Sequence, residues 1–209
     1  TGRLLNAEEA IGEIVVVGAG QRFEGYYNNP EAMAERLRFG GDDFWTGDLG
    51  YRDEAGYFYF GGRTSDWLRV DGENFGTAPI ERIISRHPAV SGVHAYAVPD
   101  PRTGDQLMCA LVLHPGAEFD PVDFAAFLDA QPDLGTKWRP TFVRVVDKAP
   151  VTANEKIDKA PLRKAAWEAG NVWWARNRSS AFIRLEDEQR EALRNEFIAA
   201  GRINSLPAA

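Results

Sequence analysis

A chain of 209 residues suffices for one large domain or two small ones, and a hydrophobic content of 44 % excludes global disorder. A formal net charge of −7 argues against nucleic-acid binding, which needs a basic face to displace counterions. No apolar run approaches the roughly 18–20 residues of a membrane-spanning helix, and Thr1-Gly2-Arg3-Leu4-Leu5-Asn6 has no signal-peptide character. Lacking an initiator Met, the chain reads as processed or cut from something longer.

In chain order, "GEIVVVG" at 12–18 is a β-branched run between glycines and predicts a strand. The glycines that follow, Gly18 and Gly20, do not make a dinucleotide fingerprint, because Phe23 stands at the third glycine position and a turn-like segment follows. Asn29-Pro30 opens a helix to about Arg38, with Asn29 as its cap. Residues 44–62 read as a hairpin turning at Asp53-Glu54-Ala55-Gly56, with an aromatic second strand from Tyr57 to Phe60. "APIERIISRHP" at 78–88 is an amphipathic helix, with Ile80, Ile83 and Ile84 on one face. "AVSGVHAYAVPD", "LMCALVLHPG" and "TFVRVVDKAP" are strands, and Asp120-Pro121 caps a helix to about Ala130. Residues 160–170 predict a helix closed by Gly170, and 186–200 a last helix before Gly201. "NVWWARNRSSAFIRL" has no clear period. Trp173, Trp174 and Phe182 are read as packing the tail back on the domain, with a peripheral membrane contact as the alternative. The pattern predicts an α+β fold, a small mixed sheet with flanking helices.

Cys109 lies inside "LMCALVL" and reads as a buried core residue; with no partner for a disulfide, it fits a reducing, cytoplasmic compartment. His87, His94 and His114 are scattered without metal-ligand spacing. Three other segments hold candidate chemistry. Asp48 of "TGDL" sits on a glycine turn, where a carboxylate can accept from two neighbouring hydroxyls such as a ribose diol, or can satisfy its own backbone. In "FGGRTSDWLRVDGENF", Gly61-Gly62 permits close backbone approach, Arg63 offers a donor fork, and Asp66 opens the next strand; an ordinary turn with a surface ion pair is the alternative. In "APVTANEKIDKAPLRK", Lys156 lies on a flexible loop that could bring an ammonium to developing phosphoryl charge, or stay merely solvated.

Together these segments resemble the last motifs of the adenylate-forming superfamily, which includes acyl-CoA synthetases, luciferases and peptide-synthetase adenylation domains. "GEIVVVGAGQRFEGYYNNPE" is similar to its Gly-Glu-(Leu/Ile) strand followed by Gly-Tyr, "WTGDLGYRDEAGYFYFGGRTSDWLRVDGENF" to its Thr-Gly-Asp and Gly-Arg-x-x-Asp motifs, and "PVTANEKIDKAPLRK" to its Pro-x-Thr-x-Asn-Gly-Lys motif. The likeness covers about 11–168, and "VDGENF" leans toward the long-chain and very-long-chain fatty acyl-CoA synthetases. The resemblance implies that Asp48 holds the ATP ribose, with Arg63 near ribose and phosphate, and that Asp66 is a hinge. It implies that Lys156 stabilises the adenylation transition state, and that Gly72, Glu73 and Asn74 face the site beside CoA in a second pose. Two departures stand out: Glu155 occupies the usual glycine position before the motif lysine, and Arg69 stands where the family often has Lys.

On that basis residues 1–65 are expected to be the β-rich end of an N-terminal AMP-binding domain, 66–168 the C-terminal domain, and 169–209 a tail. The family's phosphate loop and its Mg²⁺-binding Thr-Glu are not found here, so the chain is expected to be inactive without an N-terminal domain. ATP, Mg²⁺ and CoA are the implied cofactors and a fatty acid the implied substrate. A non-catalytic CoA- or partner-binding module and a fatty acyl-AMP ligase serving a carrier protein are the alternatives.

Overall fold

The structure, a computed structural model, describes residues 11–102, 104–178 and 181–207. The chain divides between Ser65 and Asp66 into two compact units.

The first unit is a three-stranded antiparallel sheet in the order β1-β2-β3, formed by β1 (Gly12–Val16), β2 (Phe44–Arg52) and β3 (Phe58–Arg63). Helix α1 (Pro30–Arg36) begins where the side chain of Asn29 accepts the Ala32 N–H at 3.0 Å, with Pro30 at its first position. The β2–β3 hairpin is closed by Asp53, whose carboxylate accepts the Tyr57 N–H and the Tyr59 hydroxyl, each at 2.9 Å. Tyr59 in turn stacks on Tyr51, its cross-strand partner, at 4.8 Å. Tyr57, Phe58, Tyr59 and Phe60 are nonetheless all exposed, and among the described residues the unit supplies none of the buried apolar core.

The second unit opens with a hairpin of β4 (Trp67–Val70) and β5 (Glu73–Gly76), followed by α2 (Ala78–Ile84). Then come β6 (Val90–Pro99), β7 (Asp105–Leu113), α3 (Pro121–Asp129), β8 (Phe142–Val145) and α4 (Ala160–Ala165). Strands β9 (Asn171–Trp174) and β10 (Ile183–Arg184) and helix α5 (Asp187–Ala199) complete it. The five-stranded sheet runs β10-β9-β8-β7-β6, antiparallel except for β7 beside β8, so it is mixed, as expected.

Both sheet faces are covered, which explains the unbroken apolar run of β7. Leu107, Cys109 and Leu111 point to one face and pack with Ile80 and Ile84 of α2 and Phe124 and Leu128 of α3. Met108 and Ala110 point to the other and pack with Leu162 of α4, Trp167, and Leu193 and Phe197 of α5. Cys109 is fully buried, and burial pushes its thiol well above the ordinary value, so it is a core side chain rather than a nucleophile.

Two expectations change. The segment after residue 168 is not an appended tail: β9 pairs with β8, and Trp174 and Phe182 are core residues. Its weak period reflects short strands, with Val172 and Trp174 of β9 buried and both residues of β10 exposed, and Trp174 and Phe182 pack back on the domain as expected. The helix expected over 160–170 stops at Ala165, because Ala166 takes a positive φ of 38°. The carbonyls of Ala166 and Trp167 there accept from the buried guanidiniums of Arg144 and Arg190, cations suited to a helix C-terminus.

Candidate active site

Asp48 and Arg63 face each other in register across β2 and β3. Arg63 Nε lies 3.1 Å from Asp48 Oδ1, an oxygen that is closed to solvent and makes no hydrogen bond. The Asp48 side chain is 34 % exposed and that of Arg63 62 %, so the charge pair can be reached from outside. A part-exposed carboxylate beside a cation is suited to a diol on a phosphorylated ligand.

The turn carrying Asp48 is built from below. Gly47 has a φ of +75°, and a Cβ there would collide with the Arg36 guanidinium. Its N–H donates to Glu13 Oε1 at 2.9 Å, and Arg38 grips both oxygens of the same carboxylate at 2.7 and 3.3 Å. The Thr46 hydroxyl donates to the Ile14 carbonyl at 2.7 Å and accepts the Asp48 N–H at 3.1 Å. Glu13, the acidic residue of the Gly-Glu-Ile strand, thus fixes the Asp48 turn, a role the sequence reading missed; its signal was a lone glutamate interrupting an apolar strand.

Asp66 is the first residue of the second unit and ends a 3-10 turn at Thr64–Asp66; β4 begins one residue later, at Trp67, and not at Asp66 as expected. Its carbonyl accepts the Thr77 N–H at 3.0 Å. Its carboxylate lies 3.5 Å from Lys159 Nζ and 3.8 Å from Arg163 Nη1. Lys159 also pairs with Glu81 at 2.9 Å and donates to the Thr77 hydroxyl at 3.2 Å. Nearby, burial holds the His94 imidazole below its usual range, with Lys159 lowering it further against the pull of Glu81. Neither Lys159 nor Glu81 was legible as a site residue, because a charged residue at a helix start or on a helix face reads as solvated.

Gly72, Glu73 and Asn74 are exposed at the β4–β5 turn. Asp71 and Gly72 have φ of 47° and 83°, the left-handed pair of a two-residue hairpin turn. Lys137 steadies it, its Nζ 2.8 Å from Glu73 Oε1 and donating to the Asp71 carbonyl at 3.2 Å.

Lys156 lies on a tight hairpin, not a loose loop. Val151 bridges Ile157, and the Thr152 N–H donates to the Lys156 carbonyl at 2.8 Å. The Glu155 N–H returns to the Thr152 carbonyl at 2.9 Å, and Glu155 has a φ of 59°. This is the three-residue loop whose last position is left-handed, so the glycine expected at 155 has a geometric reason. Lys156 is exposed, and its ammonium makes no ion pair among the described residues.

Residues 79–156 match the AMP-binding enzyme C-terminal domain. Steroid-22-oyl-CoA synthetase of Rhodococcus jostii (strain RHA1) is 47 % identical over 203 residues, which is 96 % of this chain and 36 % of that protein. The chain belongs to the adenylate-forming enzymes. Medium/long-chain-fatty-acid–CoA ligase FadD17 of Mycobacterium marinum is 50 % identical over 171 residues, 81 % of this chain and 34 % of that one. The crystal structure of ATP-bound MatB from Rhodopseudomonas palustris superposes with a TM-score of 0.59 at 32 % identity, over 76 % of this chain and 31 % of that one. The chain therefore spans about a third of the length of the curated relatives it matches. No helix of the described residues is long and apolar enough to cross a membrane.

Proposed function

We propose that the chain is the C-terminal part of an ATP-dependent acyl-CoA ligase acting on a fatty acid or a similarly apolar carboxylic acid. The substrate carboxylate attacks the α-phosphorus of ATP, releasing pyrophosphate and leaving an acyl-adenylate; the CoA thiol then displaces AMP. Asp48 accepts from the ribose hydroxyls and Arg63 serves the ribose and phosphate side. Lys156 supplies positive charge to the phosphoryl oxygens during adenylation. Asp66 is the hinge, and the turn at Gly72, Glu73 and Asn74 serves the thioester step. The observation that carries this reading is the in-register Asp48–Arg63 pair, both of whose side chains are part-exposed. No group of three His, Cys, Asp or Glu among the described residues could hold a metal ion, so none of them is assigned to Mg²⁺.

The exposed aromatic strand β3, in a unit without buried apolar side chains among its described residues, supports a dependence on a further N-terminal domain. The test joins this chain in frame to the upstream part of the Rhodococcus relative and measures pyrophosphate exchange, and separately thioester formation from preformed acyl-adenylate. The joined protein is expected to be active and the chain alone inactive. Lys156→Ala should slow exchange by roughly 10²–10³ and thioester formation far less. Equal losses in both steps would refute the role of Lys156. A folded fusion without exchange would favour a non-catalytic module.

A further inference from the structure

We propose that Lys159 is a positioning residue that fastens the Lys156 hairpin to Asp66; the proposal rests on the functional reading above. Lys159 Nζ lies among three oxygens inside the second unit, donating to the Thr77 hydroxyl at 3.2 Å and pairing with Glu81 Oε1 at 2.9 Å and Asp66 Oδ1 at 3.5 Å. Its side chain is only 13 % exposed. The ammonium is engaged inside the unit, and its partners explain its place. Thr77 ties to Asp66 twice over, by its N–H to the Asp66 carbonyl and by its hydroxyl through Lys159. Glu81 is itself anchored, its Oε1 accepting the Ala95 N–H at 2.8 Å in the middle of β6.

There is little slack between this anchor and Lys156. Three residues of chain reach at most about 10 Å, and here each step is held. Ile157 bridges Val151, the Asp158 N–H donates to the Pro150 carbonyl at 2.9 Å, and Asp158 Oδ1 accepts the Ala160 N–H at 2.9 Å. The hairpin that presents the exposed ammonium of Lys156 is thus braced against the residue where the two units divide. Both the carbonyl and the carboxylate of Asp66 are engaged within the second unit, so Asp66 turns with that unit and carries the Lys156 hairpin as one rigid piece. Lys159 sets where Lys156 arrives; it does not touch substrate.

The same joined protein carries the test, with Lys159→Met, Lys159→Gln, Lys159→Arg and the Lys156→Ala background. Misplacing a charge by about 1 Å can cost on the order of 10²-fold in rate. Lys159→Met and Lys159→Gln should therefore lower pyrophosphate exchange at least about tenfold, leave thioester formation from preformed acyl-adenylate within about threefold, and be largely rescued by Lys159→Arg. In the Lys156→Ala background they should add no further loss, because the residue they position is gone. Equal losses in both steps, or full additivity with Lys156→Ala, would overturn the proposal. A readout without catalysis uses the 209-residue chain itself: amide exchange at Thr152 and Lys156 should quicken in Lys159→Gln while Leu128 in α3 is unchanged. Unchanged exchange at the hairpin would defeat the tether. If Lys156→Ala instead leaves pyrophosphate exchange intact while the hairpin amides still loosen, it is the functional reading that fails and the tether that stands.

Discussion

Glu155 has a side chain where the backbone asks for none. A non-glycine residue in the left-handed region costs about 1–2 kcal/mol, and placing glycine there returns some of that as lost chain entropy, about 0.5–1 kcal/mol. Glu155→Gly is thus expected to stabilise the chain by under about 1 kcal/mol, read as a raised midpoint in urea; a lowered midpoint would show that the carboxylate contributes more than its backbone costs. Asp71 makes a second test. Its hydrogen bond to Arg178 at 2.7 Å holds the carboxylate below the ordinary 3.8. A depressed folded value stabilises the fold above the unfolded value, and that stability is lost as pH falls through the folded one. With Asp71 half exposed, the pair is worth under about 1 kcal/mol. Asp71→Asn should therefore melt slightly below the parent at pH 7, and the two curves should merge in strong acid. A gap that persists there would exclude charge as the cause. The positions of Asp48, Arg63, Asp66 and Lys156 could be read from motif order, and Asp48 and Arg63 also sit beside a glycine that permits a turn. Glu13, Glu81 and Lys159 could not, since their partners lie 14 or more residues away in the chain.

Elements with strong period or caps were legible in the sequence. Asp120, as expected, caps α3, accepting the Val122 and Asp123 N–H groups at 2.8 and 3.1 Å. The six-residue run Leu107–Val112 was plainly a strand, being apolar toward both faces. What escaped were elements made by tertiary contact. Strand β10 has two residues and no local signal; it exists because Ile183 and Arg184 pair with Trp174 and Trp173. Helix α4 ended early for a reason located elsewhere, the guanidiniums of Arg144 and Arg190, from β8 and α5, that take up the carbonyls following it. These strands lead to a prediction at their own scale. A chain ended after Gly170 loses β9, β10 and α5, and with them the cover of Phe142, Trp167 and Met108. It is expected to lose near-ultraviolet circular dichroism and cooperative melting. A sharp transition in the shortened chain would show that the second unit does not need its last strands.

At the scale of the molecule, the two units differ in kind. The second holds all the buried apolar side chains among the described residues, and the first holds a sheet whose aromatic strand is open to solvent. Burial on both faces of a sheet is the main source of fold stability, so the second unit has the means to stand alone. The boundary at Asp66 was legible from composition only as a change in pattern after Gly61-Gly62. The extent of the second unit was not, because an irregular stretch looks the same whether it trails in solvent or closes a core. Five of the six tryptophans, all but Trp45, come after that boundary, and Trp174 and Trp167 both stack on Phe142, at 6.3 and 6.5 Å. Intrinsic emission from this protein is consequently an optical gauge of one unit, and a spectroscopist who sees it hold steady has learned almost nothing about the aromatic ribbon ahead of it.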